Sequence, residues 1–354
     1  MNLNGLLATT LVGLLLAACG GGNAASTPPG TGPASASALP GSPAPGQQAA
    51  EPAHIVLSYS ELTPTNMALW GAKAAGIFEK NGLDVDLRLI ESNLGVGALM
   101  GGETQVAVMG GTEALAADVG GADLAVIATI SPVYPYKFEV RPEIKTKDDL
   151  IGKKVGVSKV GSSSDTATRA GLRKIGIDPD KDVSIIQVGS LTARVSALMS
   201  GAIQGGVASL PDTFQMEKEG LHPLFDLAAL KLPAAQNCLI VRRSWLDDNR
   251  DTAQRVVGSL IQGMVKVRND RAFGLQMLQE NLKKGRNTDQ EALEATYEFQ
   301  TKEAWAPLPY PEEVQFKDAV EQLASKNPAV KTFDLKSMLD ASLVKSAADR
   351  GLGK

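Results

Sequence analysis

Six residues within a window of ten recur, in order and without a gap, 99 residues further along this chain, and a repeat at that spacing restricts the fold more than any other feature. Val96, Ala98, Leu99, Met100, Gly102 and Gln105 return as Val195, Ala197, Leu198, Met199, Gly201 and Gln204. The same offset sets Glu61-Leu62-Thr63-Pro64-Thr65-Asn66 against Val160-Gly161-Ser162-Ser163-Ser164-Asp165. Each of these segments follows a short apolar run, Ile55 to Leu57 or Val155 to Val157, and precedes a helical pattern. The repeat predicts two similar βαβαβ halves. When such halves face one another, their strand-to-helix turns meet at one cleft, and open α/β sheets bind ligands at such turns.

The second copy carries the sharper signal. Gly161 lets the backbone turn and approach a ligand closely, while Ser162, Ser163 and Ser164 place hydroxyls beside the unpaired N–H groups of a first helical turn. The same residues suit an ordinary helix cap. A matching turn in each half favours a binding role.

The termini and composition set limits. A net charge of −4 leaves no broad basic field for a nucleic acid, and 44% hydrophobic content in 354 residues supports two cores. Leu6 to Ala18 is a largely apolar run, shorter than the roughly 20 residues that span a membrane. It ends in Leu16-Ala17-Ala18-Cys19 and resembles a bacterial lipoprotein signal over residues 1–18, with Cys19 as the lipid acceptor, although no Lys or Arg precedes it. Residues 19–53 are dominated by Gly, Pro, Ala, Ser and Thr, the composition of a disordered tether. With Cys19 lipidated, Cys238 has no disulfide partner, and its neighbours Leu239-Ile240-Val241 predict a buried thiol.

Taken in order, strands are expected at His54–Tyr59, 83–90, 105–109 and 124–130, followed by a proline-rich crossing segment from Ser131 to Arg141. The second half repeats the pattern, and the chain returns through Gln236 to Arg243. From Trp245 the pattern is helical, with Val256, Leu260, Met264 and Val267 on one apolar stripe that packs on the first lobe.

Ile144-Lys145-Thr146-Lys147-Asp148-Asp149-Leu150-Ile151-Gly152-Lys153-Lys154-Val155-Gly156-Val157 and the following Gly161-Ser162 are similar to the central motif of periplasmic binding proteins of the nitrate, sulfonate and taurine type, a family that also binds thiamine-precursor pyrimidines. Ala75-Gly76-Ile77-Phe78-Glu79-Lys80-Asn81-Gly82-Leu83-Asp84-Val85 resembles its opening pattern. The resemblance implies an α/β two-lobe periplasmic-binding-protein fold of type II, each lobe a βαβαβ sheet with flanking helices, plus C-terminal helices. Lobe 1 is then expected over 54–131, lobe 2 over 132–237, and the return to lobe 1 with the C-terminal helices over 238–354. The implied function is capture of a small molecule, a sulfonate, nitrate, taurine or aminopyrimidine-like solute, for delivery to an ABC importer permease by a monomeric lipoprotein without cofactor. The implied ligand-binding turns are Ser60 to Asn66 (Ser60, Glu61, Thr63, Asn66), Gly110-Gly111-Thr112, Gly161 to Ser164 (with Ser162 and Ser163), and Ser209 to Asp212; Ser131 and Asn237 lie near the crossovers.

Several residues bear on the ligand. Glu61 in the cleft opposes an anion and favours an amine or ring N–H groups; outside it, it is a solvated loop residue. Asp212 raises the same question or caps its own turn. No arginine lies in the four turns, and Arg169 and Arg194 read as surface groups. His54, His222 and Cys238 show no metal-ligand spacing and fall on none of the turns, which argues against both a metal site and an enzyme. An enzyme or a sensor lipoprotein using the same fold is the alternative reading.

Overall fold

The computed structural model describes residues 51–282 and 289–354. The expected signal peptide, Cys19 and nearly all of the tether lie outside the described residues. In the first lobe, β1 (Ala53–Tyr59), β2 (Leu83–Leu89), β3 (Val106–Met109), β4 (Leu124–Val133) and a late strand, Pro233–Arg242, form one sheet. In the second, β5 (Lys137–Val140), β6 (Lys154–Val157), β7 (Ser184–Gln187), β8 (Gly205–Ala208) and β9 (His222–Asp226) form another, and the late strand is β10. The strand orders are β2-β1-β3-β10-β4 and β7-β6-β8-β5-β9. In both sheets only the fourth strand is reversed: it pairs antiparallel with both neighbours, and the other four strands run the same way. The fourth strand of each sheet enters from the other lobe, so two crossovers join them.

The repeat survives as geometry. Helices α1 (Met67–Ala74), α2 (Ile77–Lys80), α3 (Ser92–Gly101) and α4 (Gly111–Val119) belong to the first lobe, and α5 (Ser163–Lys174), α6 (Leu191–Ser200) and α7 (Asp212–Lys218) to the second. Helices α3 and α6 end on Gly102 and Gly201, both in the left-handed region at φ 78°, where a side chain would be strained. Three residues later Gln105 accepts from Val56 N–H at 2.8 Å and donates to Gly102 O, while Gln204 accepts from Lys154 N–H and donates to Gly201 O. One side chain in each lobe thus ties the end of a helix to the strand beside it.

The C-terminal helices are α8 (Arg243–Asp248), α9 (Arg250–Asn269), α10 (Arg271–Leu282), α11 (Gln290–Phe299), α12 (Lys317–Ala324), α13 (Leu335–Met338) and α14 (Ser342–Asp349). The stripe Val256, Leu260, Met264 and Val267 on α9 is fully buried in the first lobe's core, as its period predicts. Helix α9 lies so close to α1 that a Cβ on Gly263 would meet the Ala68 carbonyl oxygen at 2.3 Å. Helix α12 packs in the second core of lobe 1 with Phe316 and Ala319, and its outer face reaches lobe 2.

Three expectations change. The crossovers do not fall at 131/132 and 237/238: β4 runs on to Val133, and β10 has already begun at Pro233, where it pairs with Val133. Alternating patterns mark a strand but not the sheet that receives it, so the joints shifted. Arg169 and Arg194 are buried rather than on the surface, at 7% and 1% exposure. Arg169 pairs with Asp165 and Asp180, each at 2.6 Å. Arg194 donates to the Val207 and Gly189 carbonyls and to the Ser158 hydroxyl. Each therefore meets on the inner side of its helix the acceptors that a buried guanidinium requires.

Lobe 2 also holds a polar group that composition did not announce. Phe138 on β5 stacks on Phe225 at 4.7 Å, so Glu139 points to the opposite face, toward α7. It is fully buried with neither carboxylate oxygen hydrogen-bonded, and burial pushes its pKa up to about 8.

Candidate functional site

The strand-to-helix turns of the two lobes meet along a seam that encloses three small, adjoining spaces. The middle one is lined from lobe 1 by Ser60, Glu61, Gly110 and Glu113, and from lobe 2 by Ser158, Ser162, Ser163 and Ser164. Tyr136 closes it from the first crossover, and Gln236 and Asn237 from β10. An outer space shares Ser60, Glu61 and Ser158 and adds Lys159, Gln187 and Ser190. A third shares Tyr136 and Asn237 and adds Thr63, Ser209 and Gln300. Their volumes are about 20, 80 and 10 Å³. Small-molecule sites usually enclose roughly 300 Å³ or more. The lobes are shut, and a solute enters this seam only when they part.

Polar contacts hold the seam closed. The Glu113 carboxylate, on the first turn of α4, accepts from the Ser163 hydroxyl at 2.6 Å and from Ser163 N–H at 3.2 Å, at the start of α5. Burial raises the Glu113 pKa, the two Ser163 bonds oppose the rise, and the nearby charge of Glu61 adds to it. Gly110 makes the approach feasible, because a Cβ there would lie 1.8 Å from Ser163 Oγ. Beside it, the Thr112 and Thr166 hydroxyls pair at 3.1 Å, and Gln322 of α12 donates to Asp165 at 2.6 Å while accepting from the Thr166 hydroxyl. Tyr134 donates to Asp318 at 3.0 Å, so the first crossover is also tied to α12.

Of the residues singled out by sequence, Ser60, Glu61, Thr63, Gly110, Ser162, Ser163, Ser164, Ser209 and Asn237 line these spaces. The others sit behind them. Asn66 donates to the Glu61 carbonyl at 2.7 Å and braces its own turn. Gly111 is pressed against Ala235 and Phe316. Thr112 belongs to the lobe contact, and the Ser131 hydroxyl is spent on the Ala304 carbonyl inside lobe 1. Gly161, at φ 90°, donates its N–H to Asp165, and Asp212 is buried at the start of α7. Within the serine cluster, the Ser162 and Ser164 hydroxyls pair at 2.9 Å, and Ser164 accepts from Ser158 N–H. They shape the turn as well as line it.

Sequence reasoning missed Glu113, Tyr136, Ser158, Gln236 and Gln300. One of them was findable, since Glu113 lies 99 residues before Asp212, so the repeat that selected Asp212 selects it too. Tyr136 and Gln236 face each other only because the first crossover runs beside the start of β10, with Tyr136 donating to Gln236 at 3.2 Å. Burial raises the Tyr136 hydroxyl's pKa further, helped by the charge of Glu61, and keeps it a donor. His54 is exposed beside Asp84, and neither it nor His222 lines these spaces. Cys238 is buried in lobe 1 with its thiol pushed up to about 12 by burial. Among the described residues no group of three or more His, Cys, Asp and Glu could hold a metal ion, and no helix is long and apolar enough to cross a membrane.

Two five-stranded sheets exchanging their fourth strands, with paired turns at one seam, define the two-lobe periplasmic-binding-protein fold of type II. A family model described as "NMT1/THI5 like" matches residues 63–270, more than half of the sequence, and the chain belongs to that family. No curated protein matches it significantly in sequence. Among solved structures, the aliphatic sulphonate binding protein from Escherichia coli is similar at a TM-score of 0.64 and 20% identity, covering 81% of this chain and 92% of that one. The nitrate-binding protein from Synechocystis is similar at a TM-score of 0.67 and 15% identity, covering 85% and 89%. A desulfurization enzyme shares the fold at a TM-score of 0.61 and 15% identity, covering 84% and 99%.

Proposed function

We propose that this chain is an extracytoplasmic solute-binding protein, which captures a small molecule between its lobes and hands it to the permease of an ABC importer. The observation that carries this reading is the meeting of equivalent turns from two duplicated lobes in one polar seam. Neither lobe alone surrounds a solute, so much of the binding energy is realised on closure, and the solute shifts the population from open to shut. The sulphonate- and nitrate-binding neighbours support the solute class in general terms. Cys19 and the Leu16-Ala17-Ala18 that precede it support a lipid anchor, with the tether holding the lobes beside a membrane.

The desulfurization enzyme with this fold raises a catalytic reading. The seam gives it little support, since its polar side chains are hydroxyls, amides and carboxylates with Lys159 at the outer space, and no histidine or cysteine is among the lining residues.

A thermal-shift screen with nitrate, alkanesulfonates, taurine, aminopyrimidines and polyamines tests the binding role. A ligand at 100 times its Kd stabilises by roughly 2.7 kcal/mol, and Ser162→Ala with Ser164→Ala should remove that gain while leaving the fold intact. Unchanged affinity in the double variant would take this turn out of the site. Cys19→Ala should release the protein from membranes; a variant that stays in the membrane fraction disproves the anchor.

A further inference from the structure

The cleft has a charge pattern that names a ligand chemistry. None of the eleven residues lining the middle space is Lys or Arg, and two of them, Glu61 and Glu113, are carboxylates from the same lobe. Glu61 has no side-chain partner among the described residues, and its charge is felt at both Glu113 and Tyr136. The cations nearby are otherwise engaged or peripheral. Arg194 is committed to two carbonyls and the Ser158 hydroxyl, and Lys159 is exposed at the outer space.

Opening the lobes sharpens the pattern. Both hydrogen bonds that satisfy Glu113 come from Ser163, on the other lobe. When the seam parts, lobe 1 presents two carboxylates side by side with neither bonded across the gap. Incoming N–H groups can replace what Ser163 supplied; an anion meets repulsion.

The third space supplies a contrasting end. Gln300 is 2% exposed; its Oε1 accepts from Thr65, and its Nε2 has no partner. Ser209, 6% exposed, also has an unpartnered hydroxyl. Both line that space. A buried donor without an acceptor is costly, and a ligand atom that accepts from it recovers that cost.

We propose that the solute is a small organic cation whose N–H groups bind Glu61 and Glu113 and whose far end accepts a hydrogen bond from Gln300. This rests on the solute-binding reading and narrows it: simple inorganic anions and alkanesulfonates are selected against.

The test uses the full chain in mild detergent, with ethanolamine, glycinamide and 4-aminobutanamide, each an ammonium with a hydrogen-bond acceptor at its other end, as cationic probes and nitrate and ethanesulfonate as anionic ones. At least one amine should raise the melting temperature, and neither anion should. Calorimetry should then show that Glu113→Gln and Glu61→Gln each weaken the amine about tenfold or more, the usual size of a lost charge-assisted hydrogen bond. Glu61 is partly exposed, so Glu61→Gln keeps the test valid should Glu113→Gln fold poorly. Stabilisation by nitrate or ethanesulfonate overturns the cation assignment and leaves solute binding standing. Amine affinity unchanged in both variants also overturns it. No stabilisation by any of the three amines overturns the cation assignment, whereas solute binding as such fails only if the wider thermal-shift screen also finds no ligand.

Discussion

The two copies of the turn beginning at residues 61 and 160 occupy the same place in their lobes, yet they are held by different means. In lobe 1, Asn66 closes the turn with a neutral amide that donates to the Glu61 carbonyl and, at 3.4 Å, to the Thr63 hydroxyl. In lobe 2, the matching Asp165 accepts from Gly161 N–H at 2.8 Å and is neutralised by Arg169 one helical turn on. It also accepts from Gln322, which lies on α12 of the other lobe. The same contrast holds at the next pair of turns, where Gly110 and Glu113 of lobe 1 correspond to Ser209 and Asp212 of lobe 2. Positions that close the backbone, such as Gln105 and Gln204, are alike; positions that face the seam differ. Duplication supplies a symmetric frame, whereas a ligand with two unlike ends needs two unlike walls.

The largest effect expected from breaking this comparison is at residue 110. Gly110→Ser installs the side chain that lobe 2 carries at 209, but its Cβ would stand 1.8 Å from Ser163 Oγ and 2.3 Å from Glu113 Oε2. The lobes should fail to shut. Small-angle scattering should give a larger radius of gyration, and the roughly 2.7 kcal/mol of stabilisation at 100 times Kd should vanish. Normal closure would mean that the seam is looser than this contact.

A smaller effect separates the strands at one sheet position, β10 in lobe 1 and β5 in lobe 2. Cys238, Leu239 and Ile240 make β10 apolar, whereas β5 buries Glu139, whose folded pKa of about 8 lies above its unfolded value. The folded state binds the extra proton, so its contribution is fully present below the unfolded carboxylate pKa. It is lost as pH rises through about 8. Urea titrations should show stability falling across that window by up to roughly 1.4 kcal/mol per pH unit. Glu139→Gln should flatten the slope, and an unchanged slope would place the titrating group elsewhere.

The smallest effect tests the likeness itself. Gln105→Ala and Gln204→Ala should each cost about 1 kcal/mol, the net worth of a hydrogen bond, and agree to within about 0.5 kcal/mol. A marked inequality in chemical denaturation would show that the two lobes use this tie differently.

Much of the framework was legible because its signals are short-range. The apolar run before each turn and the glycine after each of α3 and α6 act over a few residues, and the offset of 99 brought them into register. The site was legible in part. Ser162 and Glu61 stand at the seam, but Ser131, placed near a crossover, turned inward because β4 extends two residues past it. Gln300 and Gln322 carried no local mark, since they sit on the helical C-terminal region and matter only where it touches the seam.

What the sequence determined by itself is the duplicated α/β frame and the turns at its strand ends. Hydrophobic period, β-branched runs and glycine are properties of neighbouring residues. Only the tertiary structure decided which of those turns share a space, and that the wall from lobe 1 is acidic. Contacts such as Glu113 to Ser163 and Asp165 to Gln322 join residues 50 and 157 apart. They exist through the angle at which two lobes close, a quantity that no local pattern encodes.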